Sequence, residues 1–516
     1  MAENYIAPDE QYQIICPYCF NVSGDGELGK PFPHTAVEFR AETFYKNQAA
    51  IEHELHMNRT DIDMMTDKHE REKATEKYDA AERFILKVDE KYQDFWDNYG
   101  GQTTEQDDNV SRGNHPWELP IIGAGKGVAQ MVADKDGFVT HAIDVFGNET
   151  YRRVCPHCHN PLPLGFGKYP VKSISIIGVT GAGKTVYISQ LLKSMEDYAA
   201  KVGLGAFFTT NHERDFVETN KVEKGIPLPG STPPVRLSQP MFYEIVQNNG
   251  HTTRHDTIVL YDIAGENCRD AQSMVRFAKF VKHSDGIILL IDPKQLNFVV
   301  SNSGDIDTDA PALALNTLHN ILETESDKKS DIPIAVCISK SDQCFEILPQ
   351  IAQDQVQYAG EDATGMPTKE FDGRSYNQLE QGLTELMKNN AMTVCRNLQN
   401  GYTDYNFFSV SAIGCKCDDN NAPINKPNAK RIEEPILWLF KQFGFIKSNA
   451  KVMRPFKALH AQDWMYVKKF LGKAKCQKMG PQYSEYEEDA IRTQQRVLKG
   501  KTWYPYEEYS YLCEEE

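Results

Sequence analysis

The feature that most narrows what this chain can fold into is Gly178-Val179-Thr180-Gly181-Ala182-Gly183-Lys184-Thr185. It fits G-x-x-x-x-G-K-[ST], and its flanks fit too: the apolar run Ile174-Ser175-Ile176-Ile177 precedes it, and Ile188, Leu191, Leu192 and Met195 follow at helical spacing. The context predicts a strand, a phosphate-cradling turn and a helix. Glycines allow torsions that aim successive N–H groups at phosphate oxygens, while Lys184 reaches the β and γ phosphates and the Thr185 hydroxyl takes a place on Mg2+. Gly178, Thr180, Gly181, Ala182, Gly183, Lys184 and Thr185 are thus candidate nucleotide-binding residues. A second stretch, Gly123-Ala124-Gly125-Lys126-Gly127, has Pro120 where the first Gly should stand and no Ser or Thr after the Lys, so it reads as a turn.

Downstream, apolar strands alternate with helical patterns, the signature of a mostly parallel sheet wrapped by helices. The predicted fold class is α/β, a three-layer P-loop NTPase sandwich over residues 171–446 whose last helix runs from Glu433 to Phe443. Ile258-Val259-Leu260-Tyr261-Asp262 ends an apolar strand in an acid, and Asp262-Ile263-Ala264-Gly265 brings a carboxylate to Mg2+ and a Gly N–H to the γ-phosphate. Pro333 to Ile338 delivers Ser339-Lys340-Ser341-Asp342 at a strand's carboxyl end, the rim where α/β sheets bind ligands. There Asp342 can accept from the N1–H and N2–H2 edge of guanine, which adenine lacks, and Lys340 can cover the base plane. The strand Phe407 to Val410 leads to Ser411-Ala412, placed to offer a backbone N–H to the guanine carbonyl.

In this order the motifs resemble those of the Ras-like, translation-factor-related P-loop GTPases. The resemblance makes Lys184 and Thr185 the phosphate and Mg2+ residues, Asp262 and Gly265 the third motif, Lys340 and Asp342 the guanine readers, and Ser411 with Ala412 the fifth motif. Ser339 stands where relatives have Asn or Thr. For the switch threonine, the Pro-rich stretch 229–234 offers Thr232, ahead of an expected edge strand from Met241 to Val246; a loop without a ligand fits that stretch equally well. Glu266 occupies the place of the water-orienting Gln of many relatives, and its charge would oppose the γ-phosphate, so slow or partner-dependent hydrolysis is expected. Thr180 sits where the loop passes closest to that phosphate. Arg236 or Arg269 could act as an internal arginine finger or be surface charges. A zinc ribbon joined to such a domain also resembles the bacterial double-GTPase-like proteins, for which a role in conflict or defence systems is implied.

The ribbon is inferred from Cys16-Pro17-Tyr18-Cys19 and Cys155-Pro156-His157-Cys158, which together can offer four thiolates to one tetrahedral Zn2+. Four protein ligands leave no open position, so the ion would be structural. The two pairs stand 135 residues apart, and the ribbon, assigned to 1–36 and 115–170, must carry a long insertion. Residues 37–114 supply it: between Val37 and Tyr99 there is neither Gly nor Pro, and Tyr78, Ala81, Ile85, Val88, Tyr92 and Phe95 recur at helical steps. Acid-first pairs such as Glu42 with Lys46, Asp67 with Arg71 and Asp79 with Arg83 suit a solvated helix. We expect a long amphipathic helix or helical hairpin there, a spacer or a docking arm. His157 and His159 could join the metal, although solvated histidines are the commoner case; Cys415 and Cys417 read as ordinary reduced cysteines. Asp134 to Ile143 reads as a hairpin.

The net charge of −17, from 56 basic and 73 acidic residues, argues against a coat for nucleic acid or membranes. A local exception lies in 447–516, where Lys451 to Lys478 mixes eight basic residues with Phe456, Trp464, Tyr466 and Phe470 ahead of an acidic, Tyr-rich tail. RNA or acidic-lipid contact fits this stretch, as does a terminal helix anchored by its aromatics. No apolar run approaches the roughly 20 residues of a membrane span, and the first residues lack a signal-peptide pattern. With cysteines in metal-type pairs, a cytoplasmic setting is expected. The whole describes a Mg2+-dependent GTPase whose GTP/GDP state controls a protein partner through the ribbon or arm, with dimerisation through the arm left open. An ATP-driven remodeller and a GTP-binding scaffold that does not hydrolyse stand as alternatives.

Overall fold

The structure is a computed structural model. It describes residues 5–21, 29–98, 115–123, 128–179, 181–230, 239–248, 253–263, 279–299, 307–322, 329–358, 360, 365, 367–368 and 370–448, with the backbone of two short strands at 497–499 and 502–504. Thr180, Thr232, Arg236, Ala264, Gly265, Glu266 and Arg269 lie outside the described residues, as does the basic stretch 451–478.

The amino-terminal part is built from short strands: β1 (Gln13–Ile14), β2 (Phe32–Pro33), β3 (Glu38–Arg40), β4 (Ile121–Ile122), β5 (Ala129–Ala133), β6 (Val139–Asp144), β7 (Glu149–Thr150) and β8 (Arg153–Val154). β1 pairs with β2, β3 is flanked by β4 and β8, and β5 to β7 form a meander, all antiparallel. β1 leads into the first Cys-Pro-x-Cys turn and β8 into the second.

The stretch expected to be one long helix or a hairpin is neither. β3 lies inside it, and it then forms four helices, Gln48–Leu55, Arg59–Asp63, Lys68–Glu82 and Glu90–Asp97. Each begins at a side chain that accepts from its own first turn: Asn47 from Ala50, Asn58 from Asp61, Asp67 from Glu70 and Asp89 from Tyr92. Asn and Asp caps divide a helix as Gly and Pro do, by giving the first-turn N–H groups a partner outside the helix. The first three bury Ile51, Leu55, Ile62, Ala74, Tyr78 and Ala81 together. Glu42 sits outside any helix and pairs with Arg152 at 2.7 Å, not with Lys46.

From Val171 a seven-stranded sheet takes over, in the order β10-β11-β12-β9-β13-β14-β16. Its strands are β9 (Val171–Gly178), β10 (Gly205–Phe208), β11 (Met241–Asn248), β12 (Thr253–Ile263), β13 (Gly286–Ile291), β14 (Ile334–Ile338) and β16 (Tyr405–Ser409). β12, β9, β13, β14 and β16 run parallel, while β10 and β11 are antiparallel to their neighbours. The strand expected at the edge is therefore second in the sheet, because β10 covers it. A further short strand, β15 (Glu370–Phe371), lies before the helix Gly373–Asn390.

Alternating residues of the central strands feed two cores. Ile174, Ile176, Ile258 and Leu260 pack with the helices Lys184–Lys201 and Glu434–Gln442, while Ile177, Val259, Tyr261 and Ile263 pack with the helices Ala310–Leu322 and Met392–Gly401 and with the cysteine turns. Uniformly buried runs such as Ile334–Ile338 are what a strand covered on both faces requires. Among the described residues no helix is long and apolar enough to cross a membrane.

Candidate nucleotide site and cysteine centre

The carboxyl ends of β9, β14 and β16 frame a cavity of about 710 Å³. Its floor is the loop after β9. Gly181 and Gly183 have φ of +83° and +74°, the left-handed region in which a side chain is strained, and a Cβ on Gly178 would come within 2.8 Å of the Lys184 Cβ. The helix Lys184–Lys201 starts directly at the loop, so its amino-terminal turn and the positive end of its dipole face the cavity. Ala182 is partly committed, its N–H donating to the Val179 carbonyl at 2.9 Å. Lys184 is buried, and its ammonium pairs with the buried Asp262 carboxylate at the end of β12. Thr185 lines the same space. A cationic loop beside a carboxylate and a hydroxyl is a donor set suited to polyphosphate with a divalent cation.

At the other end, the Ser339 hydroxyl and N–H both donate to the Ile291 carbonyl, at 3.0 and 2.9 Å, which ties the loop after β14 to β13. Lys340 holds φ at +46°. Its ammonium donates to the Gly181 carbonyl at 2.6 Å and to Asp292 at 2.9 Å, so the residue expected to cover a base also cross-braces the phosphate loop. Asp342 accepts from the Ser411 hydroxyl, and that hydroxyl accepts the Gly414 N–H at 2.9 Å. Of the Ser411-Ala412 pair, Ser411 has its own N–H engaged, donating to the Lys430 carbonyl at 3.0 Å with a returning bond of 2.7 Å, which leaves the expected backbone donor to Ala412. Ala412 lines the cavity.

Two parts of this wall and one residue behind it have no counterpart in the sequence reading. Behind Lys340, Asp292 follows the apolar run Gly286–Ile291 at its carboxyl end, the same strand-then-acid pattern that marked Asp262. Leu228, Pro229 and Gly230 close one side, held where the Leu228 N–H donates to the Asn421 carbonyl at 3.0 Å and the Gly225 N–H to that of Pro423 at 2.9 Å. The loop 413–421 supplies their support and places Cys415 and Cys417 on the cavity, apart from the other cysteine cluster. No spacing in the sequence announces a contact between 225–228 and 421–423.

The four amino-terminal cysteines converge, all sulfurs lying within 4.8 Å of one another and buried. Cys16 is 3.7 Å from Cys158 and Cys19 is 3.8 Å from Cys155. A tetrahedron with Zn–S bonds of ~2.3 Å has edges of about 3.8 Å, so the set fits one ion. The two turns match residue for residue as C-P-x-C-x-N. In each, the N–H four residues after the first Cys donates to that Cys carbonyl at 2.9 Å, and that residue, Phe20 or His159, has positive φ. N–H groups of Tyr18, Asn21 and His157 reach sulfur at 3.4 Å, and the Asn160 amide reaches it at 3.3 Å. Burial pushes the Cys16 and Cys158 thiols well up, so four thiolates here need a cation to neutralise them.

Neither histidine joins them. His157 packs edge-on against Phe32. His159 is buried, not solvated, between Asp89 at 2.7 Å and Glu38 at 2.8 Å, and Asp89 also pairs with Arg40 at 3.0 Å. This network and the bond from Trp96 to Asn160, 2.8 Å, seat the helix Glu90–Asp97 on the second turn.

The sequence profile of the Double-GTPase 2 family matches residues 172–392. This span holds the phosphate loop, Asp262, Lys340 and Asp342 together. Residues 172–392 form a Double-GTPase 2 domain. The resemblance to P-loop GTPases is thereby borne out, as is the α/β fold expected from it. The Double-GTPase 2 match ends ahead of Ser411 and Ala412. The chain is also 23% identical over 325 residues to SaeC of Mycolicibacterium smegmatis, a protein named as a candidate ESX-1 scaffolding and assembly protein; the match covers 57% of this chain and 80% of that protein. Two solved structures are similar to it at 13% identity. Sup35 complexed with GDP has a TM-score of 0.21, with 52% of this chain and 44% of that chain covered. The GTP-bound Ski7 GTPase-like domain of S. cerevisiae has a TM-score of 0.23, with 56% and 53% covered. The chain thus spans about half the length of each of these solved chains.

Proposed function

We propose that the cavity binds GTP with Mg2+ and hydrolyses it, and that the GTP and GDP states act as a switch on a protein partner. The observation that carries this reading is the approach of Asp342, oriented by Ser411, to the same cavity as Thr185 and as Lys184, which in turn pairs with Asp262. An acceptor-only carboxylate at the base end selects guanine over adenine, and this weighs against an ATP-driven remodeller. Hydrolysis would be in-line attack of water on the γ-phosphate, with charge held by loop N–H groups, Lys184 and Mg2+ on Thr185 and Asp262. Glu266, Thr232, Thr180 and Gly265 complete this proposal from the sequence alone.

We assign the Cys16, Cys19, Cys155 and Cys158 set to structural Zn2+, with its thiols kept reduced in a cytoplasmic setting. The similarity to SaeC supports one variant, in which the GTP-bound protein serves as an assembly scaffold and turns over slowly. Binding and turnover of GTP and ATP with Mg2+ test the proposal, in the parent and in Lys184→Ala and Asp342→Asn. Selective GTP binding lost in the first variant and weakened in the second is expected. Equal use of ATP, indifferent to Asp342, would overturn it, and turnover separates a hydrolase from a scaffold.

A further inference from the structure

The first cysteine turn and the nucleotide site share one strand end. Tyr261, the penultimate described residue but one of β12, is 1% exposed, and its hydroxyl donates to the Pro17 carbonyl at 2.9 Å. Pro17 stands between Cys16 and Cys19, so its position is set by the turn that brings these sulfurs together. Phe20, the left-handed residue closing that turn, packs 6.2 Å from the Tyr261 ring and 5.0 Å from His283, centroid to centroid.

Strand alternation gives this contact its consequence. Val259, Tyr261 and Ile263 point into the core shared with the cysteine turns, whereas Ile258 and Leu260 point toward the helix Lys184–Lys201. Asp262 belongs to the second set and meets Lys184 there. Tyr261 and Asp262 are thus adjacent residues on opposite faces of one strand, each tied across its own face. A Phe at 261 would fill the same volume; the hydroxyl has its work in the bond to Pro17, since a buried O–H needs an acceptor.

We propose that Tyr261 is a positioning residue that couples the folded cysteine turn to Asp262, so that the Mg2+-dependent part of nucleotide affinity requires the turn to be formed. This rests on the reading of Asp262 as the Mg2+-side carboxylate of a GTP site. The cysteine turn acts as an abutment: it holds the end of β12 from behind, and Asp262 keeps its place against Lys184 without help from the ligand. Preorganisation of this kind raises affinity by removing an ordering cost at the moment of binding.

The test uses the full chain and a fluorescent GTP analogue, titrated with Mg2+ and again in excess EDTA, in the parent and in Tyr261→Phe. We expect Tyr261→Phe to keep its zinc content and its affinity in EDTA, and to lose about fivefold in affinity with Mg2+, the factor expected for one hydrogen bond. An equal loss in both conditions would overturn the proposal in favour of general packing, and so would no loss in either. A second arm removes zinc from the parent with a zinc-selective chelator that leaves Mg2+ and the cavity thiols Cys415 and Cys417 untouched: affinity with Mg2+ should fall at least as far while that in EDTA holds, and an unchanged response to Mg2+ overturns the coupling. Should the parent bind no guanine nucleotide at all, the GTP reading itself has failed; should it bind and Tyr261→Phe match it, only the coupling has failed.

Discussion

Ser411 holds Asp342 by its hydroxyl while Gly414 holds Ser411 by its N–H, and Ser411's own N–H and carbonyl are tied to Lys430. The Asp342 carboxylate on the cavity is therefore fixed by a residue that follows a different strand, β16. Ser411→Ala frees that carboxylate to rotate and leaves the fold intact. GTP affinity should fall about tenfold, the cost of one charge-assisted hydrogen bond, with little change for ATP, and competition binding of the two nucleotides measures it.

Lys184 and Asp262 form a buried ion pair, so removing either partner leaves the other uncompensated. Lys184→Ala should weaken GTP by roughly 2–3 kcal/mol or more, through loss of a charged donor to phosphate, and should also lower the melting temperature of the nucleotide-free protein. Isothermal titration and thermal unfolding read the two effects separately.

The sulfur geometry calls for one zinc per chain. Elemental analysis of purified protein should find it, and Cys155→Ser should lose it together with the packing of Trp96 against the second turn. Because metal binding and folding are linked, the variant's amino-terminal part should become protease-sensitive, at a cost on the order of several kcal/mol. Retained metal and retained resistance in Cys155→Ser would contradict the assignment.

Glu213 is fully buried and accepts from the Phe242 N–H and the Thr210 hydroxyl, each at 2.6 Å. Burial raises its pKa despite these bonds. Its favourable contribution is therefore complete below the unfolded carboxyl value and is lost as pH rises through the higher folded value. Glu213→Gln can keep both contacts, since the Thr hydroxyl also accepts. The variant should melt higher than the parent at neutral pH and show a flatter stability profile above the carboxylate range, as followed by thermal unfolding across pH.

How much of this was legible beforehand depended on how far apart in the chain the partners lie. The phosphate loop was readable because strand, glycines and helix are contiguous, and local torsions decide their conformation. The cysteine pairs were readable because thiolate chemistry restricts what two Cys-Pro-x-Cys turns can do, whatever separates them. The helical insertion differs from its sequence pattern because helices end there without Gly or Pro: the caps Asn47, Asn58, Asp67 and Asp89 start new ones. The burial of His159 is not legible locally for the opposite reason, since its carboxylate partners Asp89 and Glu38 come from distant segments.

By itself the sequence determined the chemistry available: a P-loop before a helix, acids at the ends of apolar strands, and four thiols able to share an ion. Those properties depend on neighbours within a few residues. Only the tertiary structure decided that Lys340 braces the phosphate loop, that Leu228 rests on Asn421, and that Pro17 meets Tyr261 across 244 positions. Such contacts arise where separate elements stack onto one sheet, and no local spacing encodes which buried hydroxyl will find which carbonyl.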